Sequence, residues 1–268
     1  MVRKLMKYDF ASFMRLLLPV QLILLGIAAL NRIVQLFESE SNTYSIVFTS
    51  SIVLYVISII VALVLTLVVS VVRFYQGMYS NEGYLSHTLP VTPTQHIVSK
   101  LLTSVLFFLG TFLSVFLSLN IVTLGEMNIE IYKAIGFLFG RFFTYTHWHM
   151  ALYIVEVILL VLAVMISSLL CLYFCISVGQ LAQKKKILLA FGVYFGLYFI
   201  SQVFGTILIV IVSVLNLEFL MEIIDWFTYH PIAFGHIFLC GLIVYQLIIS
   251  LIYFLISRYI MSKKLNLA

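Results

Sequence analysis

Residues Tyr44 to Val72 read YSIVFTSSIVLYVISIIVALVLTLVVSVV, 29 residues without a charge. About 20 apolar residues at 1.5 Å rise each cross the roughly 30 Å hydrocarbon layer of a bilayer, so this run is long enough to be a transmembrane helix. Carried outward in both directions, the same ruler finds five more such segments: Leu17 to Phe37, Leu101 to Leu124, Met150 to Leu181, Ile187 to Leu215 and Ile237 to Ile260. Several exceed the minimum, which implies tilt or projection beyond the lipid. The whole composition agrees. The 268-residue chain is 63% hydrophobic and 9% charged, whereas soluble domains carry roughly a quarter charged residues. The expected fold is all-α, a polytopic membrane protein forming one membrane domain over residues 1–268. A secretory signal peptide is rejected for the N-terminal stretch, because its charged lead-in is long and contains Asp9, and five further apolar segments follow.

Lys and Arg concentrate on the cytoplasmic flanks of short-looped membrane proteins. Arg3, Lys4, Lys7, Arg15, Arg73, Lys100, Lys184, Lys185, Lys186, Arg258, Lys263 and Lys264, twelve of the fifteen basic residues, fall on the side of the termini. Arg32, Lys133 and Arg141 fall on the other, with Glu38, Glu40, Glu126, Glu130, Glu218, Glu222 and Asp225 in or beside those loops. Both ends are therefore expected in the cytoplasm and the protein in the cell membrane. The net charge of +5 reads as a topology signal, not a nucleic-acid footprint, because no basic patch interleaves with exposed aromatics.

Before the first span, Val2, Leu5, Met6, Phe10, Phe13 and Met14 recur near helical spacing among basic residues, predicting an amphipathic interfacial helix over residues 1–15, with extension of the first span as the alternative. Two long outer connections, residues 125–149 and 216–236, are rich in aromatics such as Phe142, Phe143, Trp148, Trp226 and Tyr229. They are expected to hold short re-entrant or interfacial helices, with His230-Pro231 as a break. Lys184 to Lys186 marks a tight inner turn.

The inner loop over residues 77–98 faces water yet stays partly apolar. Ser80 or Asn81 can cap a short helix that Pro90 ends, with Tyr84, Leu85 and Thr88 on one face. Thr92-Pro93-Thr94-Gln95 then has the pattern of a capping box with proline in the first turn, from which the third span grows. Such a loop suits docking of a soluble partner, the alternative being that it folds back on the lipid headgroups.

The basic lead-in, the six spans, and the stretch from Glu82-Gly83-Tyr84-Leu85 to Thr88-Leu89-Pro90-Val91 resemble permease subunits of type-2 ATP-binding cassette (ABC) exporters of Gram-positive bacteria. The layout matches over the whole chain and the sequence over about Phe74 to Leu102. The resemblance implies that this loop is the coupling helix seated in a cleft of a cytoplasmic ATPase, with Glu82, Gly83, Tyr84, Leu85, Leu89 and Pro90 at that interface. It makes Met1 to Arg15 the connector helix. It also implies two permease subunits, as a homodimer or with a paralogue, working with two ATPases. ATP and Mg would then be bound by the separate ATPase chain and no cofactor by this one. Consistent with this, the chain has no Gly-x-x-x-x-Gly-Lys-Ser/Thr phosphate loop. The implied cargo is hydrophobic or amphipathic: a peptide, an antibiotic or a lipid.

Within the spans, Glu156 is an intramembrane acid that needs a partner, for which Arg141, Lys133 or an outward-reaching water is expected. Either it is structurally paired or it lines the substrate path, with Gln202 and Asn120 as further path candidates; Gln246 is a fourth polar residue, usually satisfied between helices. Gly192-x-x-x-Gly196, followed by Gly205, allows close helix approach, either between subunits or within one. Cys171 and Cys175 share a helix face as a buried thiol pair, and His147 and His149 diverge on a helix, so no metal centre is expected. No His-Glu-x-x-His helix, Gly-x-Ser-x-Gly turn or nearby intramembrane carboxylate pair supports an enzyme. The alternative to a permease is a non-transporting scaffold or immunity protein that binds a toxin or sensor.

Overall fold

A computed structural model describes residues 2–37, 41–80, 91–146, 148–182, 184–214, 222 and 225–263. Its long helices are α1 (Val2–Leu36), α2 (Asn42–Tyr79), α3 (Pro93–Val122), α4 (Glu126–Thr146), α5 (His149–Gly179), α6 (Lys186–Val214) and α7 (Pro231–Lys263), and no strand occurs among the described residues. All except α4 are long and apolar enough to cross a membrane, and each overlaps one of the six expected spans. Glu126, Glu130, Lys133 and Arg141 keep the 21-residue α4 from joining them. At 38 residues, about 57 Å, α2 far exceeds the hydrocarbon thickness.

The chain divides into two compact units, Met1–Arg141 and Phe142–Ala268. In the first, α1 packs along α2 and α3, which also touch each other. Leu24, Ala28, Tyr55 and Ala62 form one buried cluster, and Phe13, Leu17 and Phe107 another. Lipid is as apolar as these side chains, so packing and interhelical hydrogen bonds, averaging about 0.6 kcal/mol each, must hold the helices together. Buried hydroxyls supply several: Thr66 and Thr111 meet at 2.9 Å, Gln21 Nε2 donates to Thr111 Oγ1 at 3.2 Å, and Tyr55 meets Ser118 at 2.9 Å. Nearer the other end Asn31 Nδ2 donates to Ser51 at 3.1 Å.

In the second unit α5 packs against both α6 and α7. Ala163, Ser167, Ser177 and Gly179 on α5, with Ser250 and Ser257 on α7, are buried small residues that bring the backbones close. The α5 to α6 connection is tight. A Cβ on Gly179 would lie 2.8 Å from both the Ala190 Cβ and the Lys186 carbonyl, and Lys185 adopts φ 56°, consistent with the expected inner turn.

Three expectations need revision. The lead-in forms no helix of its own, because α1 runs unbroken from Val2 to Leu36, and its inner face meets α3: the Phe10 and Phe13 rings lie 5.0 and 5.1 Å from that of Phe107. The helix in the first outer connection is not short; α4 occupies most of it, with its side chains exposed from Ile129 to Thr144. The last span begins at Pro231, six residues before the expected Ile237, because proline at the first helical position starts a helix without loss. The break at His230 stands where expected, between helical residues 225–229 and α7.

Candidate functional site

Two polar constellations stand out, one in each unit. In the first, the capping box at the start of α3 is formed: Thr92 Oγ1 accepts from the Gln95 amide at 3.4 Å, and Gln95 Oε1 accepts from the Thr92 amide at 3.3 Å. One turn further, Lys100 Nζ pairs with Asp9 Oδ1 at 3.2 Å while Ser99 donates to Asp9 Oδ2 at 3.2 Å. Gly77, in the last turn of α2, lies against the Lys100 stem, so that a Cβ there would fall 2.8 Å from Lys100 Cε. The lead-in thus joins the two helix ends that flank the inner loop. Glu82, Gly83, Tyr84, Leu85, Leu89 and Pro90 lie outside the described residues.

In the second unit, Glu156 sits two turns inside α5 and its partner comes from α7. His236 Nδ1 lies 2.8 and 2.9 Å from the two carboxylate oxygens, and both side chains are mostly buried. Lys133 and Arg141, the basic residues expected as partners, belong to the first unit, where the Arg141 guanidinium stacks 4.9 Å over the Phe137 ring. The other His236 nitrogen, Nε2, faces His149 Nδ1 at 3.1 Å, and His149 is exposed at the N-terminal end of α5. Tyr153 stacks on the His236 ring with centroids 4.1 Å apart and an interplanar angle of 11°. Its hydroxyl donates to the Ile232 carbonyl at 2.7 Å. Gly235 makes this approach feasible, since a Cβ there would lie 2.9 Å from the Tyr153 ring. Cys240 Sγ, one turn along α7 from His236, lies 3.9 Å from Glu156 Oε1.

Asn120, in the first unit, donates to the Phe116 carbonyl at 2.8 Å and accepts from the Tyr132 hydroxyl. Gln202 is exposed on α6. A Cβ on Gly192 or Gly196 would meet nothing within 4 Å, so the small-residue stripe of α6 is not used for packing inside the second unit. Cys175 is buried and Cys171 half-buried, both as free thiols. An apolar groove of about 470 Å³, lined by Phe143, Trp148, Met150, Ala151 and Ile154, opens on the face of α5 away from Glu156.

His236, Tyr153, Asp9 and Lys100 are absent from the sequence-based site. The available signal for His236 was depth. It lies more than a turn inside a helix that starts with proline, at a level Glu156 reaches from the same end of the membrane. No family model, curated protein or solved structure matches this chain.

Proposed function

We propose that this protein is the permease subunit of an ATP-driven exporter of the type-2 ABC class. In this reading it resides in the cell membrane with both ends in the cytoplasm, works as a pair of subunits, and is driven by a separate cytoplasmic ATPase through the inner loop. The observation that carries this reading is the Asp9–Lys100–Ser99 knot. A helix that receives force from a soluble motor must pass it to the spans, and here the lead-in is bound to the base of α3 beside the end of α2, with the loop strung between those two helices. The capping box fixes where that loop ends and α3 begins. The cargo class, a hydrophobic or amphipathic peptide, antibiotic or lipid, follows from the resemblance in the inner loop.

The test is affinity purification of the full-length chain from its own membranes, followed by identification of a co-purifying protein with a nucleotide phosphate loop. The Tyr84→Ala, Leu85→Ala double variant should reach the membrane in normal amount and lose that partner. Undiminished recovery of the ATPase with the double variant, or no ATPase with the native chain, would overturn the reading and leave a non-transporting binding protein.

A further inference from the structure

A carboxylate inside a membrane span is normally satisfied by one local partner. Glu156 instead terminates a line of groups in unbroken hydrogen-bond contact that runs to the end of the helix. His149 Nδ1 lies 3.1 Å from His236 Nε2, and His236 Nδ1 lies 2.8 Å from Glu156 Oε1. The first member of the line is exposed, whereas the His236 and Glu156 side chains retain only 19% and 16% of their exposure. Glu156 lies seven residues beyond His149, about 10 Å deeper along the helix axis. Both His236 nitrogens are thus engaged, one on each side of the ring, by groups that can give or take a proton.

We propose that His149, His236 and Glu156 form a proton relay, through which Glu156 binds a proton drawn from the aqueous face where α5 begins. In the deprotonated state Glu156 is a carboxylate, His236 carries its proton on Nδ1 and donates to it, and His149 carries its proton on Nδ1 and donates to His236 Nε2. A proton from water bonds to the free Nε2 of His149. The Nδ1 proton of His149 moves to His236 Nε2, and the Nδ1 proton of His236 moves to the Glu156 oxygen. One proton has entered, the carboxylate is neutral, each imidazole again holds one proton, and both hydrogen bonds survive with their directions reversed. Reversal of the same three transfers releases the proton to the same face. No ring has to rotate.

The surroundings suit this cycle. The titratable groups around His236 among the described residues are His149, Tyr153 and Glu156 on α5 and Cys240 on its own helix. Phe142 of α4, whose ring lies 5.7 Å from that of Tyr153, is apolar. The Tyr153 ring, clamped through its hydroxyl to Ile232, holds the His236 plane so that one nitrogen points at each neighbour. Among the described residues of this unit, the hydrogen-bonding neighbours of Glu156 are the His236 imidazole and the Cys240 thiol. The relay does not depend on an attached ATPase; only the assignment of its open end to the outer face rests on the charge-based orientation.

Dicyclohexylcarbodiimide, which reacts with protonated carboxyls in apolar surroundings, provides the test. Full-length protein in membrane vesicles of known sidedness is labelled while the pH on one side is varied between about 8 and 5, the range in which imidazoles titrate, with the other side held fixed. Modification of Glu156 is read by mass spectrometry. It should rise several-fold as the side bearing the N-terminus of α5 is acidified and ignore the other side; Glu156→Gln should take no label there. His149→Gln keeps a hydrogen-bonding amide but cannot pass a proton on, so labelling after an acid jump should slow at least fivefold. Labelling that follows the opposite side, or no side, overturns the relay in the unmodified protein alone. A His149→Gln variant of normal thermal midpoint that labels at the native rate also overturns it and reduces the cluster to a structural latch between α5 and α7.

Discussion

Lys100 is removed from water, at 8% exposure, and Asp9 is the group that makes this tolerable. Cutting one partner strands the other, which costs more than the pair itself is worth. Lys100→Met should therefore lower stability by about 1–3 kcal/mol, read as a reduced thermal midpoint of detergent-solubilised protein. The Asp9→Asn, Lys100→Met double variant removes both charges and should lose less than the sum of the single changes. Additive losses would mean that the two groups do not act as a pair. Gly77→Ala provides an independent probe, because its Cβ would reach the Lys100 stem and that flexible side chain can yield only by drawing away from Asp9. Gly77→Ala should weaken the native protein and have little effect once Lys100 is Met.

The helices were legible to different degrees, for reasons that lie in the range of the forces involved. Tyr44 to Val72 announces a span because lipid imposes a length and tolerates almost no charge, and both requirements are local. The Thr92 to Gln95 capping box was equally readable, since its two hydrogen bonds close within four residues. The lead-in was harder. Its spacing of Phe10, Phe13 and neighbouring residues says that one face is apolar, but a neighbouring helix satisfies that face as well as lipid does, and Phe107 is the surface it meets. The pairing of Glu156 with His236 spans 80 residues and depends on the register of α5 against α7, to which no local pattern contributes. The α5 to α6 turn provides a test at this scale. A Cβ on Gly179 would press on the Lys186 carbonyl, which is backbone and cannot swing aside. Gly179→Ala should thus destabilise the second unit by about 1–3 kcal/mol, seen as faster proteolysis near Lys184 to Lys186. Unchanged protection would show that the turn has room to relax.

At the scale of the molecule, what remains unsatisfied is α6. It packs on α5 along one side, has no buried residue among its described side chains, and presents Phe191, Phe195, Phe199 and Phe204 outward. Lipid can cover aromatic rings, so exposure alone does not require a partner. The glycines are more telling, because Gly192 and Gly196 lie one turn apart with nothing within 4 Å and give helix propensity away for no internal contact. The proposed function pairs two subunits, and small residues four apart let two backbones approach closely in lipid, so contact with a second copy of the chain through this notch is a reading that can be tested. Filling the notch therefore separates assembly from folding. Gly192→Leu, Gly196→Leu should keep the native thermal midpoint of the isolated subunit, since each new side chain enters open space. Self-association in detergent or bilayers should weaken at least tenfold, about 1.4 kcal/mol, and disulfide crosslinking through Gly192→Cys should be efficient in otherwise native membranes. Association unchanged by the two leucines, with no crosslink from Cys at position 192, would remove α6 from the subunit interface and require the pair to form through another helix.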